Sequence, residues 1–404
     1  MISRISQSLF ALLLLVLMLS GCSGGGETRN EEAKPMSKNE VRTIRSAANA
    51  DGIGFTKEDV ASMGLDVGWQ YRHSAPVIQT FVENDNIYIV SSTSDYPYVL
   101  IKIDGQTGLP RWTYPLKARL EFAPSVYVYP EEIRSQNADE LYIVELGSIY
   151  CIDDQYGAPN FTIKCDFPIS TGVSPGQDSL ILGGFDMRAY GVSKEDRFVS
   201  WTFLTGGGVT ADAVNFANAS FVGSEDGNVY KLIQSAGFIR SDCWSYETMG
   251  SIEHSPTVFG DRIYVSSRDT KIHCLSDAGE ESFLHWSTPT GKPVVSSPVV
   301  TAASVYAILR DDRYSAPVTE LVSLDTADGS ERGRKAGVTD VLHTSSRMIS
   351  FLDASGKIVS CSASDGEEKW SLDTADCDEV LSLSSAFVLV YDAEGLIQKI
   401  TVRR

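Results

Sequence analysis

The sequence predicts an all-β fold: an eight-bladed β-propeller of four-stranded antiparallel blades, closed into a ring by an N-terminal strand. Three observations predict this fold. Tryptophan recurs at a nearly constant spacing, an Asp/Gly turn precedes several of the tryptophans, and a Ser-Pro segment with a β-rich stretch follows them. No comparable stretch has a long helical period, so we expect strands to build the core.

The tryptophans set the length of the repeat. A period of about 42 residues is the length of one four-stranded propeller blade. Two intervals are doubled, and Phe161 and Arg334 stand where the missing tryptophans are expected. The repeated residues are Trp69, Trp112, Trp201, Trp244, Trp286 and Trp370.

The segments on either side of each tryptophan also repeat. Before it the chain reads as a strand, an Asp/Gly turn and a returning strand, as in 103–112 and 364–370. Glycine supplies the positive φ that such turns need, and aspartate bonds to its own following amides. After it comes a Gly turn and a Ser-Ser-Pro-like strand, as in 250–258 and 291–300.

These modules give seven complete units and an eighth that lacks its last strand. Residues 68–71 supply that strand, which closes the ring and removes two free sheet edges. We therefore predict a propeller over residues 66–404, as a monomeric ring.

The first residues have the layout of a bacterial lipoprotein signal. Arg4 precedes an apolar run over residues 9–19, and this run is too short to span a membrane. Leu19-Ser20-Gly21-Cys22 resembles the lipobox, which implies cleavage after residue 21 and fatty acylation of Cys22. The alternative is an ordinary signal peptide with an incidental cysteine. If the host has two membranes, Ser23 after the cysteine favours the outer one.

Residues 22–65 are predicted to be a lipidated tether with short helices. Residues 23–35 contain almost nothing apolar and cannot bury enough surface to offset their ordering entropy. Capping boxes at 37–40 and 56–59 predict two short helices, which we expect to pack on the rim of the propeller.

The charge of the chain excludes one class of partner. The formal net charge is −19 at pH 7, and no basic patch offsets it. Nucleic acid and anionic lipid surfaces are therefore repelled.

The repeat resembles the pyrroloquinoline-quinone (PQQ) type of propeller repeat. A lipobox followed by eight such blades is similar to the BamB family of outer-membrane-protein assembly lipoproteins. The resemblance implies a protein-binding scaffold in the cell envelope, anchored at the outer membrane and facing the periplasm. The N-terminal tether and the insertion at 130–140 depart from that family.

The sequence predicts neither an enzyme nor a bound cofactor. Quinone-dependent relatives of this repeat family hold their cofactor with a vicinal disulfide and a calcium ion, but this chain has no adjacent cysteines. It also lacks Cys-x-x-Cys-His, Gly-x-Ser-x-Gly and His-Glu-x-x-His motifs. Asp325, Asp328 and Asp365 are interpreted as turn residues.

Six cysteines follow Cys22. Cys151, Cys274 and Cys361 are assigned to one shared repeat position. Reflecting the hairpin about residue 155 places Cys151 opposite Phe161 and leaves Cys165 about 13 Å along the strand, which is too far for a bridge. Small buried thiols are favoured over hairpin disulfides.

The residues around the Ser-Pro segments are predicted to line the central channel, with His254 and His343 two blades apart. Imidazole is a common metal ligand, but two ligands fall short of the three or four that a metal site needs. The alternative to a scaffold is therefore a channel that binds a small molecule, a PQQ-type cofactor or a metal. The predicted channel residues are Ser74, Phe122, Val173, Ala211, His254, Ser296, His343 and Ser382.

Overall fold

The computed structural model describes residues 54–134, 138–235, 238–240, 243–311, 318–383 and 386–402. The predicted signal peptide, Cys22 and the predicted helix near residue 40 lie outside these residues. Within them, no helix is both long and apolar enough to cross a membrane.

A short helix and a long strand begin the described chain. Helix α1 (Lys57–Ala61) has the expected capping box, in which Thr56 and Asp59 each accept the other's backbone N–H. Val60 is fully buried and packs in one apolar cluster with Leu65 and Leu342. Strand β1 (Leu65–Arg72) follows directly.

Seven four-stranded antiparallel sheets then follow in chain order. Blade 1 contains β2 (Gln79–Glu83), β3 (Asn86–Ser91), β4 (Tyr98–Asp104) and β5 (Pro110–Leu116). Blade 2 contains β6 (Ser125–Tyr127), β7 (Glu140–Glu145), β8 (Ser148–Asp153) and β9 (Pro159–Lys164), with helix α2 (Glu131–Arg134) in the predicted insertion. Blade 3 contains β10 (Ser174–Pro175), β11 (Ser179–Gly184), β12 (Arg188–Ser193) and β13 (Val199–Leu204).

Blade 4 carries an extra hairpin before its outermost strand. It contains β14 (Val214–Phe216), β15 (Ala219–Gly223), β16 (Asn228–Leu232) and β19 (Trp244–Glu247), and the hairpin is β17 (Gln234–Ser235) with β18 (Phe238–Ile239). Blade 5 contains β20 (Thr257–Phe259), β21 (Arg262–Ser267), β22 (Lys271–Asp277) and β23 (Ser282–Pro289).

The last three blades complete the ring. Blade 6 contains β24 (Val299–Val300), β25 (Ser304–Asp311), β26 (Val318–Asp325) and β27 (Glu331–Ala336). Blade 7 contains β28 (Val338–Thr344), β29 (Met348–Asp353), β30 (Lys357–Ser362) and β31 (Glu368–Asp373). Blade 8 contains β32 (Glu379–Leu383), β33 (Ala386–Tyr391) and β34 (Leu396–Val402), with a 3₁₀ turn at Asp392–Glu394.

The fourth strand of blade 8 is β1. It pairs antiparallel with β34, from Leu65 opposite Val402 to Arg72 opposite Leu396. The predicted eight-bladed fold, with its ring closed by an N-terminal strand, is therefore confirmed.

The core is divided among the junctions between blades. Among the described residues, the buried apolar side chains form eight clusters, and each cluster joins two adjacent blades. The second and third strands are the most deeply buried, because both of their faces meet a neighbouring blade. Asn86–Ser91 in blade 1, for example, has five buried residues in six.

Antiparallel strand order gives the ring two faces. We call the face that carries the turns between second and third strands the upper face, and the chain also crosses there from one blade to the next. The lower face carries the turns between first and second strands and between third and fourth strands.

Candidate functional site: blade junctions, channel and upper face

The repeated tryptophans lie on the outermost strand of their blades. Five of them donate an indole N–H to the following blade, at or near the turn between its third and fourth strands. The acceptors are Gly105 O for Trp69 (3.0 Å), Asp154 O for Trp112 (2.9 Å), Gln234 Oε1 for Trp201 (2.6 Å), Asp277 Oδ1 for Trp244 (2.9 Å) and Thr326 O for Trp286 (3.2 Å). Trp370 instead packs edge-to-face on Phe387 of blade 8, with ring centroids 5.8 Å apart.

Glycine in the neighbouring turn makes room for the indole. A Cβ atom on Gly108, Gly157 or Gly329 would lie 2.5 to 2.7 Å from a ring atom of Trp69, Trp112 or Trp286, respectively. All three glycines have φ near +70°. The Asp-x-x-x-Gly turn of one blade is thus the seat for the tryptophan of the preceding blade.

The junction between blades 1 and 2 also contains a buried ion pair. Lys102 Nζ lies 2.5 Å from Asp154 Oδ2 and 2.9 Å from Asp154 O, and each residue is only 6% exposed. Tyr88 donates its hydroxyl to Asp154 Oδ1 at 2.6 Å. Asp154 therefore links three side chains of blade 1, since its carbonyl also accepts from Trp112.

The turn aspartates accept hydrogen bonds from nearby backbone amides, as the sequence predicts. Asp325, Asp328 and Asp365 each accept a backbone N–H from two residues further on, at 2.7 to 3.0 Å. Hydrogen bonds from Arg332 and the Ala327 amide lower the pKa of Asp325. These contacts are those of turn residues.

The cysteines require one correction. Cys151 and Cys274 do share a repeat position, because they pair across the sheet with Phe161 and Trp286. Cys361 lies one residue further along, because in blade 7 it is Ser360 that pairs with the tryptophan, Trp370. All six described cysteines are unpaired, and burial raises the pKa of the Cys151 thiol to about 12.

The predicted channel residues also require a correction. His343 and Ser382 lie within the innermost strands β28 and β32, whereas the other six lie in the segments that lead into such strands. His254 precedes β20, so it does not occupy the repeat position of His343. Bulges in β28 shifted the predicted register.

A cavity of 370 Å³ opens beside His343 at the inner strands of blades 6 to 8. Its polar groups come from His343, Thr344 and Ser382, and Leu342 and Leu383 contribute apolar surface. Burial lowers the pKa of both His343 and His254. His254 does not line this cavity.

The residues of this cavity do not fit a PQQ-type cofactor site. Its lining contains no carboxylate and a single titratable side chain, His343. No group of three or more His, Cys, Asp and Glu side chains in the described part of the chain could hold a metal ion. Among the described residues, the structure therefore offers neither the calcium ligands nor the adjacent cysteines of that chemistry.

Sequence analysis missed a set of exposed apolar residues on the upper face. Leu146, Phe185 and Met187 lie in turns between second and third strands of blades 2 and 3, and Leu204 and Met249 lie where outermost strands end on that face. Their exposed fractions run from 46% for Met187 to 83% for Met249. We call these five residues the upper apolar patch.

Two residues of the patch also have an unfavourable backbone conformation. Leu146 has φ of 49° and Met187 has φ of 63°. A left-handed conformation costs a non-glycine residue about 1–2 kcal/mol, and Asn or Gly is the usual residue there. The sequence does contain a signal for this strain. Leu146-Gly147 stands in a hairpin turn, where Asn-Gly is the favoured pair.

Comparison with known proteins supports the repeat assignment. A family model described as outer membrane protein assembly factor BamB matches residues 225–385. No curated protein matches the sequence.

Several solved structures share the fold. BamB from Moraxella catarrhalis has 14% identity and a TM-score of 0.62, and the match covers 83% of this chain and 97% of that one. A quinohemoprotein alcohol dehydrogenase, ADHIIG from Pseudomonas putida HK5, has 10% identity and a TM-score of 0.60 over 84% of this chain and 76% of that one. The computationally designed Ika8 protein has 11% identity and a TM-score of 0.56 over 82% and 98%. At such identities these likenesses show the fold alone.

Proposed function

We propose, from the premise that this chain is a PQQ-like β-propeller resembling BamB, that it is a lipid-anchored scaffold that binds another protein of the cell envelope. In this proposal, residues 1–21 are the signal peptide and Cys22 carries the lipid. Residues 22–65 form the tether, and the propeller faces the periplasm from the outer membrane. Binding, rather than catalysis, is its activity.

The upper apolar patch carries this proposal. Leu146, Phe185 and Met187 expose large apolar surface on neighbouring blades of one face. Removal of such surface from water favours association by about 25 cal/mol per Å², before the entropic cost of binding is subtracted. Exposed apolar clusters on soluble proteins mark interaction sites.

The backbone strain in the patch supports a role in binding. Leu146 and Met187 adopt a backbone conformation that Asn or Gly would adopt at lower cost, and 63% and 46% of their surfaces stay exposed. Folding therefore does not account for them. Contact with an apolar surface of a partner protein would.

The test separates binding from folding. We expect a Leu146→Asn, Met187→Asn double variant to be at least as stable as the wild type, because Asn tolerates the left-handed conformation. A photo-crosslinker at Phe185 in the producing cell should capture one defined envelope protein from wild type, at strongly reduced yield from the double variant.

A matched control comes from the lower face. Phe198 is 57% exposed in a turn between third and fourth strands. Phe198→Ser should leave the crosslink at Phe185 unchanged. An undiminished yield from the Asn double variant would refute the proposal.

The cavity beside His343 supports a second candidate, binding of a small molecule in the channel. Native mass spectrometry of the untagged protein tests it. A stoichiometric ligand that is lost in a His343→Ala variant would favour this candidate. Absence of any ligand from protein isolated from its own host would reject it.

A further inference from the structure

The junction between blades 6 and 7 keeps the seat for a tryptophan but has no tryptophan. The predicted substitute, Arg334, lies one residue beyond the aromatic position of β27. Gly333 holds that position, because it pairs with Ser323 just before a bulge, as Trp286 pairs with Cys274 in blade 5. The facing turn retains its glycine, Gly366, with φ of 72° and its N–H bonded to Ser362 O. A Cβ atom on Gly366 would meet nothing within 4 Å, whereas one on Gly329 would lie 2.5 Å from Trp286.

Arg334 does not reach across this junction. Its guanidinium donates to both carboxylate oxygens of Glu331 and to Glu320, which belong to its own blade. The tryptophans of the other junctions, by contrast, donate to the next blade.

Another altered junction shows compensation. Between blades 2 and 3, Phe161 replaces the tryptophan and Arg197 replaces the turn glycine. The Arg197 guanidinium lies 5.0 Å from the centre of the Phe161 ring and covers it. Blade 7 has no such replacement, because Gly366 is still glycine.

The result is a cleft of 630 Å³ between blades 6 and 7. This volume lies within the range of about 300–1,000 Å³ that is usual for ligand sites. Tyr306, Leu321, Ile349 and Phe351 give it an apolar lining. Ala363 also lines the cleft. In the turn of blade 7 it holds the position that Asp154 holds in blade 2 and Thr326 holds in blade 6. The carbonyls of Asp154 and Thr326 accept indole N–H groups from the preceding blade.

The edge of the cleft carries a positive charge. Lys335 Nζ lies 5.2 Å from the centre of the Phe351 ring. Lys335 forms no ion pair with the residues that the structure describes, whereas Arg332 and Arg334 are paired with Asp325, Glu320 and Glu331. If a ligand placed an aromatic ring in the cleft, an acidic group next to that ring would pair with Lys335.

We propose that this cleft binds a tryptophan side chain of a partner protein, with an acidic residue next to that tryptophan pairing with Lys335. The molecule already seats five of its own tryptophans in equivalent positions, so the shape and the acceptor suit an indole. The site is separate from the upper apolar patch, and the proposal does not depend on that surface.

The test uses a short peptide of sequence Gly-Ser-Asp-Trp-Gly-Ser, with 5-fluorotryptophan as the probe. Fluorine NMR observes this residue without interference from the protein's own tryptophans. We expect a saturable shift with the wild-type protein. Gly333→Trp should weaken binding at least tenfold, because the new indole fills the seat.

Three further variants make the result specific. Gly333→Ala should bind within about twofold of wild type, since a methyl group leaves the cleft open. Thr202→Trp, which adds an exposed indole beside Trp201 at a filled junction, should also bind as wild type. Lys335→Gln should weaken the Asp peptide several-fold but leave an Asn version of the peptide unaffected.

Several outcomes would overturn the proposal: no saturable shift with wild type, binding by Gly333→Trp within twofold of wild type, or equal losses in Gly333→Trp and Gly333→Ala. Lys335→Gln tests the charge without altering the shape, so the proposal stays testable if Gly333→Trp folds poorly. Crosslinking at Phe185 in the Gly333→Trp protein should be unchanged, which distinguishes failure of this site from failure of the upper-face scaffold.

Discussion

The indole of Trp286 in blade 5 lies directly over Gly329 of blade 6, with no room for a Cβ atom between them. Its N–H donates to Thr326 O at 3.2 Å, and Thr288 donates its hydroxyl to Gly329 O at 2.7 Å. Blade 5 is thus fastened to blade 6 by contacts that its own sheet cannot make.

Trp286→Ala should lower the free energy of unfolding by about 3–5 kcal/mol, because it truncates a buried aromatic side chain and leaves a cavity. Equilibrium denaturation with guanidinium measures the loss. Stability equal to wild type would show that the indole does not hold the two blades together.

Gly329 and Gly366 have similar φ angles, so alanine at each position separates the conformational cost of the substitution from its packing cost. Gly366→Ala should cost about 1–2 kcal/mol, for the left-handed conformation alone. Gly329→Ala has the same conformational cost and also clashes with Trp286, so its melting temperature should be distinctly lower. Similar losses in both variants would contradict the seat geometry.

Lys102→Met should destabilise the protein by about 3–5 kcal/mol, because it leaves the Asp154 carboxylate buried without its cation. Adding Asp154→Asn should recover part of that loss. As a matched control, Arg111→Met breaks a 2.5 Å pair with Asp104 in which the arginine is half exposed, and should cost less than about 1 kcal/mol. Chemical denaturation of the four proteins compares them. Equal losses from the buried and exposed pairs would be the contrary result.

The carboxyl group of Asp392 should give a stability difference that depends on pH. Burial and the nearby Asp378 raise its pKa from 3.8 to about 6 in the folded protein. The folded state therefore binds the proton first, and stability increases as pH falls from about 6 toward 3.8. Asp392→Asn should melt higher than wild type at pH 7, and the difference should shrink toward pH 4. A difference independent of pH would contradict this.

Cys22→Ala should abolish incorporation of radiolabelled fatty acid. It should also release a soluble protein or leave the precursor uncleaved, because the proposed function anchors the protein through an acylated Cys22. Metabolic labelling and membrane fractionation measure both effects. Label on the variant protein would refute the lipid anchor.

The blade architecture could be predicted because the same local chemistry recurs in every blade. The positions of the outer strands follow from the repeated tryptophans, such as Trp112, and from the repeated glycine turns, such as the one that ends at Gly157. The same repeat identifies β1 as the missing strand of the last blade. The hairpin pairing of Cys151 with Phe161 followed from the turn alone.

The inner strands were harder to predict. They are short or bulged, so spacing from a Ser-Pro segment misplaced His343 relative to His254. Cys361 and Arg334 likewise lie one residue beyond the repeat positions that the sequence assigned to them, which Ser360 and Gly333 hold. The upper apolar patch was missed because Leu146 and Met187 read as strand-like residues, and only their φ angles and exposure set them apart.

The pairing of β1 with β34 joins segments from opposite ends of the sequence. Thr401 donates its hydroxyl to Asp66 O, across 335 positions of the chain. During synthesis, β1 emerges first and stays unpaired until residues 396–402 have followed. Blade 8 is therefore completed last, and a nascent chain stalled before that point leaves both flanks of the sheet open to aggregation or to a chaperone.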